Sequence, residues 1–357
     1  MQFEMFNLPR IVFGRGAYAR LWEFIPRGAR PMLIYNGKQP TGEFVIPLRL
    51  RGEPTSEFVD NAVRTAKKID CDFIVGVGGG SAIDAAKAVA GLLGNGGVTA
   101  DYMEVVGKGQ KITKPAVPWI AIPTTAGTGA EVTRNAVIGW PEKKFKASIR
   151  SELLLPRVAL IDPELHVDVP PHVTAASGMD ALCQCIEAYV STNANAMTDA
   201  VAIRGVELAG RFLKRAFDDG HDIEAREGMA LAALFSGIAL TNAGLGAAHG
   251  FAAPLGANFP VPHGVVCGVL LPHVIDANLA AGAAREKYAE IDRVLPGGLA
   301  RCRGLVRELN LPSLGTFGLA DADIDPMVDL AKRASSMRYN PVELSDDVLR
   351  EILRKSL

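Results

Sequence analysis

The chain has 357 residues, 48% apolar and 22% charged, so it is long and apolar enough to bury the cores of about two domains. Its 38 basic and 39 acidic residues give a net charge of −1, which offers no electrostatic attraction for nucleic acid or an anionic membrane. We therefore expect a small-molecule partner, and neither nucleic acid nor a membrane.

The N-terminus and the cysteines favour a cytoplasmic protein. The opening sequence MQFEMFNLPRIVFGRG lacks the basic flank, apolar core and cleavage site of a secretory signal. The five cysteines are scattered without a CxxC pair, which is typical of small buried thiols in a reducing compartment. They are Cys71, Cys183, Cys185, Cys267 and Cys302.

The two halves of the chain have different sequence patterns. From about Arg30 to Asp162, aliphatic runs such as PMLIYNG, DFIVGVGGGS, WIAIPTTAGTG and VALIDP alternate with helical stretches. This alternation predicts an α/β domain with a parallel sheet. After about Pro163, apolar residues recur at helical spacing and predict an all-helical domain. We place the two domains at residues 1–164 and 165–357, with a cleft between them.

A glycine-rich turn lies between the predicted strand Phe73–Val77 and the predicted helix Ala82–Ala90. Glycine lets backbone amides approach a phosphate, and the helix N-terminus adds partial positive charge. The turn therefore fits a pyrophosphate, although its spacing is not GxGxxG and a purely structural tight turn stays open. Its residues are Gly78, Gly79, Gly80 and Ser81.

A second turn, Pro123–Glu131, follows the predicted strand Trp119–Ile122. Its threonine hydroxyls and glycine amides are suited to phosphate, ribose or a carboxamide. Two such turns at the carboxyl ends of adjacent parallel strands share the crevice where open α/β sheets bind nucleotides.

The second half contains one acidic residue and two histidines that together predict a buried divalent-metal site. Asp180 lies in a probable helix, and His249 and His263 lie in a stretch, 228–275, that has no charged side chain. Prolines and polar residues interrupt that stretch, which favours interior helices over a membrane span. Hydrogen-bonded core residues without a metal remain the alternative.

Taken together, these motifs resemble the iron-containing (group III) alcohol dehydrogenases, relatives of glycerol dehydrogenase, maleylacetate reductase and dehydroquinate synthase. The resemblance runs from about Phe13 to beyond Leu271 and rests on GGGSAIDAAKAVA, IPTTAGTGAEVT, LLPRVALIDPEL, SGMDALCQCIEAY and PLGANFPVPHGVVCGVLLPHV. It implies an N-terminal dinucleotide-binding domain, a helical C-terminal domain, NAD or NADP, a divalent metal (Fe²⁺ or Zn²⁺) and a homodimer.

The resemblance also assigns cofactor residues. The glycine turn would hold the pyrophosphate, while Thr124, Thr125 and Thr128 would contact the nucleotide and nicotinamide. Asp84 and Lys146 match further family positions. For Asp84 the alternative is a first-turn charge favoured by the helix dipole, and for Lys146 an ordinary solvated lysine.

The family's metal set is matched only in part. Asp180, His249 and His263 stand at ligand positions, but Gln184 replaces a ligating histidine and Ala253 replaces a histidine near the nicotinamide. Three ligands plus water still make a complete catalytic zinc site. Gln184 is then either a fourth ligand or an outer partner.

The implied function is a metal-dependent oxidoreductase that uses NAD(P) to interconvert an alcohol and an aldehyde or ketone by hydride transfer. One alternative is a redox-silent or metal-free relative that binds a small ligand. Another is a lyase like dehydroquinate synthase, whose phosphorylated acid would need cations such as Arg134, Lys146 and Arg150. Residues 38–51 are also too short for the family's usual helix and strand, so this crossover is expected to be trimmed.

Overall fold

A computed structural model of the chain describes residues 2–143 and 145–357. The chain divides into two compact units, which we call the α/β unit and the helical unit. The α/β unit comprises Phe6–Thr125 and Ala130–His166. The helical unit comprises Val167–Leu357, the short segment Ala126–Gly129 and residues 2–5.

The α/β unit is built on a parallel sheet of six strands, which confirms the predicted fold class. The strand order is β1-β8-β5-β4-β2-β3, and β6 and β7 form a separate antiparallel pair. The strands are β1 (Arg10–Phe13), β2 (Pro31–Tyr35), β3 (Ile46–Arg49), β4 (Phe73–Gly78), β5 (Trp119–Pro123), β6 (Asn135–Trp140), β7 (Phe145–Arg150) and β8 (Val158–Ile161). The helices of this unit are α1 (Ser56–Lys68), α2 (Gly80–Asn95) and α3 (Thr99–Tyr102).

The middle of the sheet is apolar on both faces. Every residue of β2, β4 and β5 is buried, as expected for parallel strands that are covered on both faces. All three strands run in the same direction, so their carboxyl ends meet at one edge of the sheet. That edge carries Asn36, Gly78 and Thr124.

The trimmed crossover is visible between β2 and β3. These strands pair directly in parallel, with Met32 opposite Ile46, and residues 36–45 between them contain no helix. Backbone contacts hold this connection: Val45 N–H donates to Pro31 O at 2.9 Å. The segment therefore keeps the expected strand and omits the helix.

After β8, the described residues form helices and no further strand. The prolines at the predicted junction start the first of these helices, because Pro171 occupies a first-turn position where its missing N–H costs nothing. The helices are α4 (Pro171–Val190), α5 (Ala196–Asp218), α6 (Ile223–Ala243), α7 (Ala247–Asn258), α8 (His263–Ala280), α9 (Arg285–Val294), α10 (Ala300–Glu308), α11 (Ile324–Lys332) and α12 (Asp346–Arg354).

The charge-free stretch forms most of α6 and all of α7, and then most of α8. Helix α8 is long and apolar enough to cross a membrane, but 67% of it is buried within the protein. Helices α6 and α7 would pass the same test as one span, yet they meet at 100°. Buried core helices have this length and composition too, and α4, α6, α7 and α8 all contribute to one hydrophobic core.

Candidate metal centre and cofactor turn

Three helices of the helical unit bring one carboxylate and two imidazoles together. Asp180 lies in the middle of α4, His249 in the first turn of α7, and His263 at the start of α8. Asp180 Oδ1 lies 3.2 Å from His249 Nε2 and 3.6 Å from His263 Nε2. The two imidazole rings are 5.4 Å apart, centre to centre. The three residues singled out from the sequence therefore form one cluster.

Burial and charge shift the pKa of each member of this cluster. The side chains of Asp180 and His249 are 2% and 5% exposed, and that of His263 is 44% exposed. Burial raises the pKa of Asp180. Burial lowers the pKa of both histidines, but the nearby Cys267 and Asp180 outweigh this effect. The pKa of His249 is therefore raised well above its ordinary value, and the pKa of His263 is raised to about 9.

Glu187 fixes the orientation of His249. Its carboxylate accepts hydrogen bonds from the backbone N–H of Gly246 at 2.9 Å and of Ala248 at 2.7 Å, and so caps the start of α7. The same carboxylate lies 2.7 Å from His249 Nδ1. Because a carboxylate only accepts, Nδ1–H donates to Glu187. Nε2, which faces Asp180 Oδ1 at 3.2 Å, is the ring nitrogen available to a metal.

Gln184 lies one helical turn after Asp180 and contacts its carboxylate. Its amide Nε2 donates to Asp180 Oδ2 at 3.2 Å, and its Oε1 lies 2.8 Å from Ser236 Oγ. The carboxylate requires a donor, so the amide nitrogen must face Asp180 and the oxygen must face Ser236. Of the two roles open to Gln184, this arrangement favours the outer partner over the fourth ligand.

Two cysteines also lie at the cluster. Cys267 Sγ is 3.6 Å from His263 Nε2, and Cys183 Sγ is 3.8 Å from His249 Nδ1. Burial raises the pKa of Cys183 well above its ordinary value. Burial opposes ionisation of Cys267 as well, but a hydrogen bond from Cys183 and the two imidazoles outweigh it and lower its pKa well below the ordinary value.

The donor set fits a divalent metal. Two nitrogen or oxygen atoms bound at roughly 2.0–2.1 Å to a tetrahedral metal lie about 3.3 Å apart. The separations of 3.2 and 3.6 Å from Asp180 Oδ1 to the two imidazole nitrogens are close to that value. Imidazole and carboxylate are ligands of both zinc and iron, so the site can hold either metal.

The sequence interpretation missed Glu187 and Cys267. Both have a signal in the helical spacing: Glu187 lies seven residues after Asp180, and Cys267 four residues after His263, so each shares a helix face with a predicted ligand. Ala253, where the family resemblance led us to expect a histidine, is exposed on α7 one turn after His249. Its methyl group supplies no donor there.

The glycine turn joins the end of β4 to the start of α2. Gly78 has φ of 148°, and a Cβ there would lie 2.0 Å from Asn36 Oδ1. That oxygen accepts from Gly79 N–H at 3.1 Å, and Gly79 is the N-cap of the sixteen-residue helix α2. The first amides of α2 follow in Gly80 and Ser81, where a helix has no partners of its own for its N–H groups. Backbone amides at the N-terminus of a helix are suited to binding an anion such as a phosphate.

The threonine turn adjoins the glycine turn within the α/β unit. Thr124 N–H donates to Gly78 O at 2.9 Å, and a Cβ at Gly79 would lie 3.2 Å from Thr125 Oγ1. Thr128 belongs to the segment Ala126–Gly129, which is part of the helical unit. The structure thus brings Thr124 and Thr125 to the glycine turn.

The remaining predicted cofactor residues have protein partners. Asp84 Oδ2 accepts from Val137 N–H at 3.0 Å, and Oδ1 lies 3.5 Å from the buried Lys87 ammonium. Lys146 Nζ lies 2.5 Å from Glu53 Oε2. Both residues therefore contribute to the packing of the α/β unit, whatever they contact in a complex.

The cations named for a lyase are each engaged separately. Arg150 pairs with Glu104 at 3.2 Å, and the Arg134 guanidinium stacks 3.5 Å from the Phe6 ring centre. Lys146 pairs with Glu53, as above. This pairing gives no support to a cluster that grips a phosphorylated acid.

Comparison with known proteins covers both units. Residues 9–163 match the family described as iron-containing alcohol dehydrogenase, and residues 174–357 match the C-terminal region of the Fe-containing alcohol dehydrogenase family.

Individual relatives match over nearly the whole chain. The NAD-dependent methanol dehydrogenase of Bacillus methanolicus is 42% identical over 385 residues, which covers 99% of this chain and 100% of that protein. Alcohol dehydrogenase 4 of Schizosaccharomyces pombe is 37% identical over 350 residues, covering 96% of this chain and 79% of that protein. The crystal structure of a 1,3-propanediol oxidoreductase superposes with a TM-score of 0.91 at 31% identity, covering 100% of both chains.

Proposed function

This chain belongs to the iron-containing alcohol dehydrogenase family, and from that premise we propose that Asp180, His249 and His263 hold its divalent metal and that the turn at Gly78–Ser81 holds its nicotinamide cofactor. The protein is an alcohol dehydrogenase that interconverts an alcohol and an aldehyde or ketone with NAD(P). One observation carries the metal assignment: three helices direct a buried carboxylate and two imidazoles at one point.

When bound, the metal supplies a Lewis acid for the substrate oxygen and the nicotinamide supplies a donor or acceptor of hydride. The side chains of the protein hold the metal and orient its ligands. Glu187 keeps the proton of His249 on Nδ1 and leaves Nε2 as the ligand atom. Gln184 donates to Asp180 and limits the rotation of that carboxylate. His263, the most exposed of the three ligands, lies on the open side of the cluster.

The cofactor's pyrophosphate is proposed to lie on the amides of the glycine turn. Asn36 supports this by fixing Gly79, and Gly78 by an approach that a side chain would block. Thr124 and Thr125 lie beside the turn and are proposed to contact the rest of the nucleotide. Thr128, Asp84 and Lys146 stay proposals on the family resemblance alone.

Short primary alcohols are the proposed substrates, since a methanol dehydrogenase that is 42% identical and a 1,3-propanediol dehydrogenase are among the similar proteins. A homodimer and a cytoplasmic location are also proposed. The five free cysteines are consistent with a reducing compartment.

The test combines metal analysis with an assay of reduced nicotinamide absorbance. Purified protein is loaded with Fe²⁺ or Zn²⁺ and offered NAD and NADP with a panel of short alcohols and aldehydes. We expect turnover that requires the metal, and we expect Asp180→Asn to abolish both turnover and stoichiometric metal binding.

NAD(P) binding, followed by fluorescence quenching or calorimetry, is the control for Asp180→Asn. It should be nearly unchanged, because the proposed ligands and the glycine turn belong to different units. Equal loss of metal and cofactor binding in this variant would contradict the assignment.

A further inference from the structure

We propose that the Cys267 thiolate is a fourth ligand of the metal, in place of the imidazole that this chain lacks at position 184. The inference rests on the proposed metal centre of Asp180, His249 and His263, and it adds one donor to that centre.

The position of Cys267 on α8 carries the first part of the argument. It lies one helical turn after His263, so both side chains leave the same face of the helix. Its ligand atom and those of Asp180, His249 and His263 all lie within 4.8 Å of one another. Cys267 is fully buried, so its thiol faces the cluster and not solvent.

The distances agree with coordination geometry. A nitrogen at about 2.05 Å and a sulfur at about 2.3 Å from a tetrahedral metal lie about 3.6 Å apart. Cys267 Sγ and His263 Nε2 are 3.6 Å apart. Asp180 Oδ1 and His263 Nε2 are also 3.6 Å apart, so sulfur and carboxylate are equally close to this imidazole.

Gln184 leaves the fourth place to another donor. Its carbonyl oxygen, the only atom in its side chain that binds a metal well, is directed at Ser236 Oγ. Its amide nitrogen faces Asp180. The described side chains around the cluster therefore supply the set Asp, His, His and Cys.

Close packing of α8 on α4 puts the sulfur in range. Gly264 and Gly268 both face α4, and a Cβ at Gly264 would lie 2.0 Å from Ala176 O. A Cβ at Gly268 would lie 2.9 Å from Met179 Cβ, the neighbour of Asp180. Two glycines that flank Cys267 thus allow α8 to approach the helix that carries the carboxylate.

The other buried cysteines provide a comparison for Cys267. Cys185 and Cys302 belong to no cluster of His, Cys, Asp or Glu among the described residues. Cys183 contacts His249 at Nδ1, whose N–H already donates to Glu187. Cys267 differs from all three because it shares its cluster with both imidazoles and the carboxylate.

A thiolate ligand changes the preference of the site among metals. Sulfur is a softer donor than oxygen and favours zinc, whereas a site of two histidines and a carboxylate is typical of Fe²⁺. The exposed side of His263 leaves room for substrate, since a zinc site can expand to five ligands. The chain is therefore expected to bind Zn²⁺ in preference to Fe²⁺.

Spectroscopy of the loaded protein tests this directly. Metal-free protein is titrated with Co²⁺, and the zinc form is measured by X-ray absorption. We expect a thiolate-to-cobalt charge-transfer band in the near ultraviolet and one sulfur neighbour of zinc at about 2.3 Å. Cys267→Ser should lose the band and the sulfur neighbour, and Zn²⁺ affinity should fall by at least the roughly 10–100-fold that follows loss of an outer partner.

Cys183→Ser is the matched control, because it replaces a buried thiol that contacts His249 at Nδ1, the ring nitrogen that does not face Asp180. It should retain the band. The inference is overturned if wild-type protein binds Co²⁺ with the Asp180-dependent stoichiometry but shows no thiolate band, or if Cys183→Ser removes the band. If wild-type protein binds no metal at all, the proposed metal centre is wrong, and the assignment of Cys267 as a ligand is wrong with it. The wild-type spectra decide the matter even if Cys267→Ser fails to fold.

Discussion

Glu187 shows how one side chain serves both stability and chemistry. Its buried carboxylate accepts from two backbone amides at the start of α7 and from the imidazole that those amides lead to. The cap therefore fixes the helix and the ligand that it carries in one contact. Removal of its charge should therefore lower both the affinity for the metal and the stability of the fold.

For Glu187→Gln we expect Zn²⁺ affinity to fall by about 10–100-fold, the usual cost of losing the outer partner of a ligating histidine. The amide presents donors where a carboxylate accepted, which should also cost about 1–3 kcal/mol of unfolding free energy. Chelator competition measures the first effect, and urea unfolding of the metal-free variant measures the second. Glu224→Gln, at an exposed ion pair at the start of α6, is the control. An unchanged affinity in Glu187→Gln would disprove the positioning role.

Glu131 makes stability depend on pH in the α/β unit. It is 3% exposed, and burial raises its pKa from 4.5 to about 7, although the nearby Lys87 ammonium opposes the shift. The folded state therefore binds a proton more tightly than the unfolded state. Because folding then takes up a proton, stability falls as pH rises through this window and is highest below it.

Glu131→Gln should remove this dependence, since the amide has the same shape and does not titrate. Relative to the variant, wild-type protein is expected to lose stability between about pH 4.5 and about pH 7, by roughly 1.4 kcal/mol for each unit of pKa shift. Urea unfolding at several pH values gives the comparison. Parallel curves for the two proteins would mean that Glu131 is not the titrating group.

At the scale of elements, the approach of α8 to α4 determines the metal centre. His263 and Cys267 belong to α8 and Asp180 to α4, so the separation of these two helices sets every distance between their donors. The contact is backbone to backbone at Gly264, where a Cβ would meet Ala176 O at 2.0 Å. A carbonyl cannot rotate away as a side chain can.

Gly264→Ala should therefore weaken metal binding although it alters no ligand. The added methyl group forces α8 away from α4, and we expect Zn²⁺ affinity to fall along with a loss of about 1–3 kcal/mol from overpacking. Gly268→Ala is the graded control, because its Cβ would meet only side-chain atoms, at 2.9 and 3.0 Å. It should have the smaller effect on both measurements. A larger effect of Gly268→Ala than of Gly264→Ala would show that the contact at Gly264 does not determine the geometry of the metal centre.

At the scale of the whole molecule, the two proposed ligand sites belong to separate units. The metal residues lie in the helical unit, and Gly78–Ser81 with Thr124 and Thr125 lie in the α/β unit. Each ligand should stabilise first the unit that contacts it, by about 2.7 kcal/mol at a hundredfold excess over its Kd.

Hydrogen exchange followed by mass spectrometry resolves this expectation. Zn²⁺ added to metal-free protein should slow exchange in α4, α7 and α8, while NAD added without metal should slow it at the glycine turn and the start of α2. Zinc protection of the glycine turn equal to that of α8 would mean that the units respond as one body.

Much of the fold was predictable because its signals are local. Buried strands such as β4 and β5 are continuous apolar runs, and α2 begins where three glycines end a strand. The family resemblance, which the comparisons confirm, rests on the same short motifs. The antiparallel pair β6–β7 and the edge strand β1 were not predicted, because their burial depends on partners distant in the chain.

The sequence by itself determined the fold class, the reaction and three of the side chains that we assign to the metal, because residue type and spacing carry that information. Only the tertiary structure decided that Gln184 faces Ser236 and Asp180, that Glu187 holds His249, and that Cys267 faces the imidazoles. Spacing along a helix gives the face that residues share, but the neighbour that covers this face is chosen by packing. Here that packing is the close contact of α8 with α4, which no local pattern encodes.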